Sequence, residues 1–164
     1  MQVNQDLEFN IIKSNFPYEI LLLADETVEA IDKYIFDSAV YGVSKNGKTI
    51  AAFCLLAVNE NTIEIKNIAV VDNFRNHGVG SEIIRFIKRI CKERYSMIIV
   101  GTADNGINQI RFYERNGFDK FGTIKNFFIE NYPDPIYENG IRLKDMILLK
   151  FYETTVPTFS NEPI

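Results

Sequence analysis

The sequence predicts a mixed α/β (α+β) fold, and three observations lead to that class. Two strand-like runs, 40–44 and 50–58, are joined through Asn46-Gly47, a dipeptide typical of antiparallel hairpins. A third apolar run, 63–70, precedes a glycine-containing loop and an amphipathic helix. Another short apolar run follows that helix, as in a right-handed strand–helix–strand connection. The early strands are therefore predicted to be antiparallel and the later pair parallel.

Length and composition indicate one globular domain. The 164 residues are 46% hydrophobic and 13% aromatic, which is enough for a sizeable core. We expect a domain over 1–152 and a C-terminal tail over 153–164. The formal net charge of −4 disfavours nucleic acid and anionic membranes as partners. No signal-peptide pattern or membrane-length apolar run is seen, so we expect a cytoplasmic protein.

The few sulfur and imidazole side chains restrict metal and redox chemistry. Cys54 and Cys91 do not make a disulfide framework, and we expect both to be buried free thiols. His77 is the only histidine in the sequence. A zinc site or a catalytic triad cannot be built around one histidine and two distant cysteines, so we expect no metal.

The N-terminal third is predicted to supply one strand and two helices. Residues 7–13 are expected to form the first strand. Pro17 suits the start of a helix over 17–23. Thr27 is a suitable N-cap for a second helix over 28–36. The hairpin described above follows, and a second turn then leads into the third apolar run.

The loop after the third apolar run is a candidate anion site. It reads Arg75-Asn76-His77-Gly78-Val79-Gly80, and Ser81 begins the predicted helix. The first N–H groups of a helix have no partner within it, and the helix dipole adds positive charge there. Glycines let a phosphate approach the backbone. The two glycines alone also suit an ordinary strand-to-helix turn, and neither a P-loop nor a complete dinucleotide fingerprint is present.

A second strand–helix pattern lies downstream. Residues 97–101 predict a short strand, and 107–115 predict a helix that ends at Gly117. The end of this helix reads Phe112-Tyr113-Glu114-Arg115-Asn116-Gly117-Phe118.

The C-terminal part is predicted to contain two strands around an irregular segment. The strands are expected over 118–125 and 144–152. Between them, 126–142 is aromatic and rich in turns, with a turn at Asn139-Gly140. A long irregular segment in a small domain often has a function, so we consider it either a loop of the active site or a surface covering.

These two elements together resemble the GNAT acyltransferase superfamily. The strand ending in Ile68-Ala69-Val70 with its glycine loop is similar to the acetyl-CoA signature, and the segment at Tyr113 is similar to the LYxKxGF element. The strand and helix pattern extends the resemblance over roughly residues 9 to 151. It implies a small bacterial-type member with a mixed, mostly antiparallel sheet. The sheet is expected to splay at the two cofactor strands and to carry about four helices.

The resemblance also implies an activity. The expected enzyme is an N-acetyltransferase that moves the acetyl group of acetyl-CoA to a primary amine of a small molecule, by direct attack in a ternary complex. A protein lysine or N-terminal acetyltransferase and a non-catalytic acyl-CoA-binding module stay open as alternatives, and a homodimer is common in the family. The implied cofactor-binding residues are Ile68, Ala69, Val70, Arg75, Asn76, His77, Gly78, Val79, Gly80 and Ser81.

Two residues match catalytic positions of the family. Tyr113 corresponds to a tyrosine near the CoA sulfur, where a phenol can protonate the leaving thiolate; its alternative role is that of a core aromatic. Glu64 corresponds to a glutamate that acts as base in some members. Strand alternation predicts Glu64, Lys66 and Ile68 on one face. A solvent-facing Glu64 paired with Lys66 is the alternative.

One position departs from the family pattern. The asparagine that often contacts pantetheine, seven residues before the tyrosine, is Gly106 here. Asn105 and Asn108 flank it, and either is a candidate for that contact.

Overall fold

A mixed seven-stranded sheet forms the centre of the computed structural model, which describes residues 6–153. The strands are β1 (Leu7–Ile12), β2 (Ala39–Lys45), β3 (Lys48–Ala57), β4 (Thr62–Val70), β5 (Met97–Ala103), β6 (Asp119–Ile124), β7 (Tyr137–Glu138), β8 (Ile141–Arg142) and β9 (Met146–Tyr152). The large sheet has the order β1-β2-β3-β4-β5-β9-β6, and β7 pairs with β8 separately. Only β4 and β5 are parallel among the neighbouring pairs described. The predicted fold class is thereby confirmed.

Helices cover both faces of this sheet. They are α1 (Tyr18–Leu21), α2 (Val28–Asp32), α3 (Val79–Cys91), α4 (Ile107–Arg115) and α5 (Phe127–Asn131). Two short 3₁₀ turns, Ile35–Asp37 and Asp72–Phe74, complete the helical structure of the described residues. The first two helices are shorter than predicted, because α1 stops at Leu21 and α2 gives way to a 3₁₀ turn after Asp32.

Both Asn-Gly dipeptides form the predicted tight turns. Asn46 and Gly47 have φ values of 51° and 77°, and they join β2 to β3. Asn139 and Gly140 have φ values of 50° and 76°, and they join β7 to β8. Two successive positive φ angles match the twist of a two-residue hairpin, which is why Asn-Gly is favoured there.

The segment 126–142 is more regular than predicted. It contains α5 and the β7–β8 hairpin, so the expectation of an irregular stretch was wrong over these residues. The Asp145 carboxylate accepts the Asn126 N–H at 2.8 Å, and the Phe128 N–H donates to the Lys144 carbonyl at 2.9 Å. Contacts with residues near β9 therefore fix the start of α5, and a five-residue helix carries too little periodicity to be read from sequence.

The sheet separates two apolar cores. The α3-side core contains Phe53, Leu55, Ile63, Ile65, Ile83, Ile87, Ile110 and Tyr113 among its buried members. The α1-side core contains Leu21, Ile31, Tyr34, Ile35, Val40, Ala52 and Cys54. From Ala51 to Leu55, successive β3 residues alternate between the two cores, as a strand buried on both faces requires.

Both cysteines are buried free thiols, as predicted. Burial raises the pKa of Cys54 to about 12 and that of Cys91 to about 11. Both thiols are therefore protonated and unreactive at neutral pH.

Candidate active site

The two central strands separate partway along their length. β4 pairs with β5 from Thr62 opposite Met97 to Ile65 opposite Val100. Beyond that point β5 continues along β9, and β4 continues along β3. A gap therefore opens in the sheet beside residues 66–70, as the resemblance implied.

Backbone N–H groups of β4 face this gap. The Val71 N–H donates to the Ile50 carbonyl at 2.9 Å. Hydrogen-bonded and non-hydrogen-bonded pairs alternate in an antiparallel ladder, so Ala69 bonds to β3, and the N–H groups of Ile68 and Val70 point towards β5. Since β5 has diverged there, these donors are available to a carbonyl oxygen placed in the gap.

A β-bulge at Lys66 changes the predicted alternation of β4. Asn67 lies opposite Cys54 and Ile65 opposite Leu55, so Lys66 is an extra residue in the ladder. Because of this insertion, the prediction that Ile68 shares a face with Glu64 was wrong. Ile68 packs against the α3-side core, whereas the Asn67 side chain is directed to the α1 side.

The glycine loop forms the N-terminus of α3. The helix begins at Val79, two residues earlier than predicted, with Gly78 as N-cap at φ 82° and Asn76 also left-handed at φ 60°. These conformations turn the chain from β4 into a thirteen-residue helix. The helix start presents free N–H groups and the positive end of a dipole, which suit a pyrophosphate. Asn76 and His77 are exposed beside it.

Arg75 is held between β4 and the loop. Its Nε donates to the Val70 carbonyl at 3.2 Å and lies 3.3 Å from Asp72 Oδ1. Half of its side chain is solvent-exposed. The guanidinium thereby fixes the loop to the open edge of β4, and its remaining N–H groups are available for an anion.

Close contacts connect α3 to α4. A Cβ atom added to Gly80 would lie 3.0 Å from the Phe112 ring. Asn116 Nδ2 donates to Ser81 Oγ at 3.3 Å, and Lys88 Nζ donates to the Asn116 carbonyl at the end of α4. The two helices are therefore packed as one unit, which connects the glycine loop to the neighbour of Tyr113.

Tyr113 lies in the α3-side core. It is 8% exposed and packs edge-on against the rings of Phe112 and Phe118. Its hydroxyl has no hydrogen-bond partner among residues 6–153. Burial raises the pKa of the phenol, so it is protonated at neutral pH and is available as a donor.

The β5–α4 loop distinguishes the two candidate asparagines. Gly106 caps α4 in a tight position, where an added Cβ would lie 3.1 Å from the Ala103 carbonyl oxygen. Asn108 is exposed. Asn105 Oδ1, like Asp104 Oδ1, is buried and has no partner in the described chain. Such an acceptor suits an amide N–H of pantetheine.

Glu64 lies on the α1-side face, opposite the face that carries Tyr113. Its Oε1 forms a 3.3 Å ion pair with Lys66 Nζ, and the glutamate side chain is 23% exposed. Lys66 Nζ lies 5.5 Å from the centre of the Tyr34 ring. The two predicted catalytic residues thus lie on opposite faces of the sheet, on either side of the region where β4 and β5 separate.

A polar cluster on the α1 side was not predicted. Asp25 accepts hydrogen bonds from the Tyr34 hydroxyl at 3.0 Å and from the Tyr132 hydroxyl at 2.9 Å. Asn67 Nδ2 donates to the Tyr34 hydroxyl at 3.1 Å. This Asp25 cluster joins the α1–α2 loop, β4 and the 126–142 segment. The available sequence signal was Asn67, a polar residue directly before the apolar end of β4, Ile68-Ala69-Val70.

Two further properties of residues 6–153 bear on the site. Nowhere in this range do three or more histidine, cysteine, aspartate or glutamate side chains come together as metal ligands. None of the helices in the described chain has the length and apolarity needed to span a bilayer.

Comparisons with known proteins agree with this geometry. A sequence profile of the acetyltransferase (GNAT) family matches residues 9–118. The uncharacterized N-acetyltransferase YvbK of Bacillus subtilis (strain 168) is 31% identical over 133 residues, which cover 80% of this chain and 86% of that protein.

Solved structures extend the comparison. A GNAT family acetyltransferase from Elizabethkingia anophelis with acetyl-CoA bound is 35% identical at a TM-score of 0.87, and the match covers 91% of this chain and 99% of that one. An IAA acetyltransferase from Bacillus cereus ATCC 14579 is 31% identical at a TM-score of 0.84, with coverage of 89% and 99%.

The sheet separates between β4 and β5, and an anion-binding loop leads into the N-terminus of α3. Together these features define the fold of an acyl-CoA-dependent transferase. The chain belongs to the acetyltransferase (GNAT) family. It is an N-acetyltransferase that uses acetyl-CoA as co-substrate, which confirms the family and cofactor predicted from sequence.

Proposed function

We propose that this N-acetyltransferase acetylates a primary amine of a small molecule by direct attack in a ternary complex. The observation that carries the proposal is the gap beside residues 66–70, which connects the α3 face to the α1 face. Acetyl-CoA extends from the α3 N-terminus to this gap, and the amine enters from the other face. The Ile68 N–H then donates to the thioester carbonyl oxygen and stabilises the negative charge that develops there.

Cofactor binding is assigned to the loop and helix starts around the gap. N–H groups at Gly78, Val79, Gly80 and Ser81 bind the pyrophosphate, and Arg75, Asn76 and His77 line its solvent side. Ala69 and Val70 form the strand edge along the pantetheine arm. Asn105, with its buried unpaired Oδ1, takes the position that Gly106 leaves vacant. Asn108 is exposed and is assigned no direct contact.

Tyr113 is proposed to protonate the leaving thiolate. Its phenol lies on the cofactor face and has no hydrogen-bond partner within residues 6–153. A thiolate is a stronger acceptor than a thioester sulfur, so the hydrogen bond strengthens as the C–S bond breaks. The phenol is then returned to its protonated form by solvent.

Glu64 is proposed to accept the amine proton through water. Glu64 lies four positions before Ile68, which corresponds to about 13 Å along an uninterrupted strand and to less here because of the bulge at Lys66. We therefore place water between the carboxylate and a nitrogen that attacks beside Ile68. A chain of ordered waters along the α1 face can carry the proton between them.

The 126–142 segment supports a small acceptor over a protein. It crosses to the α1–α2 loop, where Tyr132 bonds to Asp25, and so it covers part of the acceptor face. A covered approach leaves less room for an extended peptide. This supports the interpretation of 126–142 as an acceptor-site loop.

Turnover of acetyl-CoA against a panel of amines and peptides tests the proposal. We expect small amines to release CoA faster than N-terminal or lysine peptides, with CoA binding measured separately by calorimetry. Preferred turnover of peptides would support the protein-acetyltransferase alternative. Binding of CoA without transfer to any acceptor would support the non-catalytic alternative. Sedimentation of the same sample measures whether it forms the homodimer that is common in the family.

A further inference from the structure

The C-terminal end of α4 is bound to the first turn of α3 through one asparagine. Asn116 follows the last residue of α4, and its Nδ2 atom donates to Ser81 Oγ at 3.3 Å and to the Phe112 carbonyl at 2.8 Å. A carbonyl oxygen can only accept, so the amide nitrogen of Asn116 must face Phe112. Both amide hydrogens are therefore used, one within α4 and one across to α3.

The main chain of Asn116 is also held by α3. Lys88 Nζ donates to the Asn116 carbonyl, which is one of the carbonyls that the end of a helix leaves without a helical partner. The same ammonium group lies 4.0 Å from the centre of the Phe151 ring on β9, so it is held on a second side. Two residues of α3, Ser81 and Lys88, thus bind the side chain and the main chain of Asn116.

These bonds determine where Tyr113 lies. The N–H groups of Asn116 and Phe118 both donate to the Tyr113 carbonyl, each at 3.0 Å. The Tyr113 ring packs edge-on against the rings of Phe112 and Phe118, with centroid distances of 5.1 and 5.6 Å. The backbone and the ring of Tyr113 are therefore fixed to the segment that Asn116 joins to α3.

The other end of this connection is the proposed pyrophosphate site. Ser81 is the third residue of α3, so its N–H group precedes the first hydrogen bond of the helix, which runs from the Glu82 N–H to the Gly78 carbonyl at 3.0 Å. The Ser81 N–H thus belongs to the group of donors assigned to the pyrophosphate. Asn116 therefore joins the phosphate-binding turn of α3 to the helix that carries Tyr113.

We propose that Asn116 is a positioning residue for acetyl transfer, because it holds the Tyr113 hydroxyl at a fixed place relative to the pyrophosphate site. Acetyl-CoA bound at that site has its sulfur at the far end of the pantetheine arm, and the phenol must be placed to match it. A hydrogen bond weakens steeply when its distance or angle departs from the optimum. A displaced α4 should therefore slow protonation of the thiolate while the binding of acetyl-CoA changes little. This inference rests on the proposed role of Tyr113.

Single-turnover rates at saturating acetyl-CoA measure the effect. Asn116→Ala removes both amide hydrogen bonds, and we expect the rate to fall by about 3-fold to 10-fold, less than the roughly 10²-fold that a misplacement of 1 Å can cost. The acetyl-CoA affinity from calorimetry should stay within a few-fold of the parent. Ser81→Ala is a second variant, which keeps the backbone N–H and removes only the acceptor for Asn116. It should produce a smaller decrease of the same kind.

A double-mutant cycle separates positioning from a general loss of stability. In Tyr113→Phe no hydroxyl is left to place, so adding Asn116→Ala to that variant should lower the rate by less than about 2-fold. A substitution that merely loosens the fold would lower the rate by the same factor in both backgrounds.

Two matched controls lie at the start of β4 and β5, away from the gap. Asn59→Ala removes the acceptor of the Asn61 N–H, a bond of 2.9 Å. Ser96→Ala removes a 3.3 Å bond from Ser96 Oγ to the Asn61 carbonyl, which equals in length the bond lost in Ser81→Ala. Both controls should keep the single-turnover rate of the parent.

The outcomes separate this inference from the proposed function. If Tyr113→Phe lowers the single-turnover rate but Asn116→Ala does not, the positioning role is overturned and Tyr113 keeps its own role. Equal fold losses from Asn116→Ala in the parent and in Tyr113→Phe would also overturn it. If Tyr113→Phe has no effect, both roles are overturned together. Should Asn116→Ala not fold, the same cycle with Ser81→Ala decides between these outcomes.

Discussion

Tyr132 donates a 2.9 Å hydrogen bond to Asp25, although 107 residues separate them in the sequence. Asp25 also accepts the Tyr34 hydroxyl, which in turn accepts Asn67 Nδ2 from the central strand. The segment that covers the acceptor face is thus connected to β4 through three side chains. A change in this segment should affect acceptor binding more than cofactor binding.

Tyr132→Phe tests that connection. The ring is retained, so only the donor to Asp25 is lost. We expect the free energy of unfolding to fall by about 1.5–3 kcal/mol, the range for a hydrogen bond to a charged group. The KM for the amine should rise, with acetyl-CoA affinity unchanged. Tyr137→Phe is the control, because that hydroxyl has no hydrogen bond in the described structure. Urea unfolding measures the change in stability, steady-state kinetics the KM for the amine, and calorimetry the acetyl-CoA affinity. A KM identical to that of the parent would show that Tyr132 does not contribute to the acceptor site.

Tyr113→Phe tests protonation of the leaving thiolate. We expect acetyl-CoA affinity within a few-fold of the parent and a single-turnover rate lower by roughly 10-fold to 10³-fold, because the lost interaction develops with the charge on sulfur. Tyr95→Phe, which removes a hydroxyl from the same α3-side core, should leave the rate unchanged. Equal single-turnover rates for the parent and Tyr113→Phe would exclude Tyr113 from the chemistry.

Glu64→Gln tests the water-mediated base. The amide keeps the size of the side chain but cannot accept a proton, so kcat should decrease by roughly 10²-fold. Binding of CoA should not change, since Glu64 faces the α1 side. Glu60→Gln, in the exposed turn before β4, provides the control. Normal turnover in Glu64→Gln would exclude Glu64 as the base and leave it only the ion pair with Lys66.

Gly80→Glu tests the anion site, with Gly80→Gln as its partner. Any side chain here meets the Phe112 ring at about 3.0 Å, so both variants should bind CoA less well than the parent. The glutamate adds a negative charge where pyrophosphate approaches the helix N-terminus. We therefore expect Gly80→Glu to bind CoA at least about 10-fold more weakly than Gly80→Gln by calorimetry. Equal CoA affinities of the two variants would show that Gly80 is needed for the packing of α3 against α4 and not for anion binding.

Asp145→Asn tests how the start of α5 is held. The Asn126 N–H, followed by Lys125, lowers the pKa of Asp145 below its ordinary value. A carboxyl whose pKa is lower in the folded state stabilises that state above its unfolded pKa of about 3.9, and this contribution is lost as the pH falls through the folded pKa. The variant should therefore have a lower melting temperature than the parent at pH 7. This difference should shrink below about pH 4, where the parent loses the contribution of its carboxylate. The exposed Asp134→Asn is the control, and a pH-independent difference would contradict the assignment.

Local patterns were sufficient to predict the hairpin that joins β2 to β3, the Asn-Gly turns and the α3 helix. Asn-Gly turns and a repeat of isoleucines on one helix face depend only on neighbouring residues. The bulge at Lys66 was missed because alternation assumes an uninterrupted ladder. The Asp25–Tyr132 contact was missed because two distant hydrogen-bonding residues leave no periodic signal. The proposal of Asn105 rather than Asn108 likewise depends on the burial of a single oxygen atom, which the sequence does not reveal.

The gap between β4 and β5 has a consequence for how such an enzyme diversifies. The sheet acts as a partition, with the glycine loop and Tyr113 on one side and the Asp25 cluster on the other. Exchanges in the α1–α2 loop or in 126–142, which lie on the side proposed for the acceptor, leave the residues of the glycine loop unchanged. In the proposed arrangement, acceptor specificity can therefore change through a few surface residues while cofactor binding is kept.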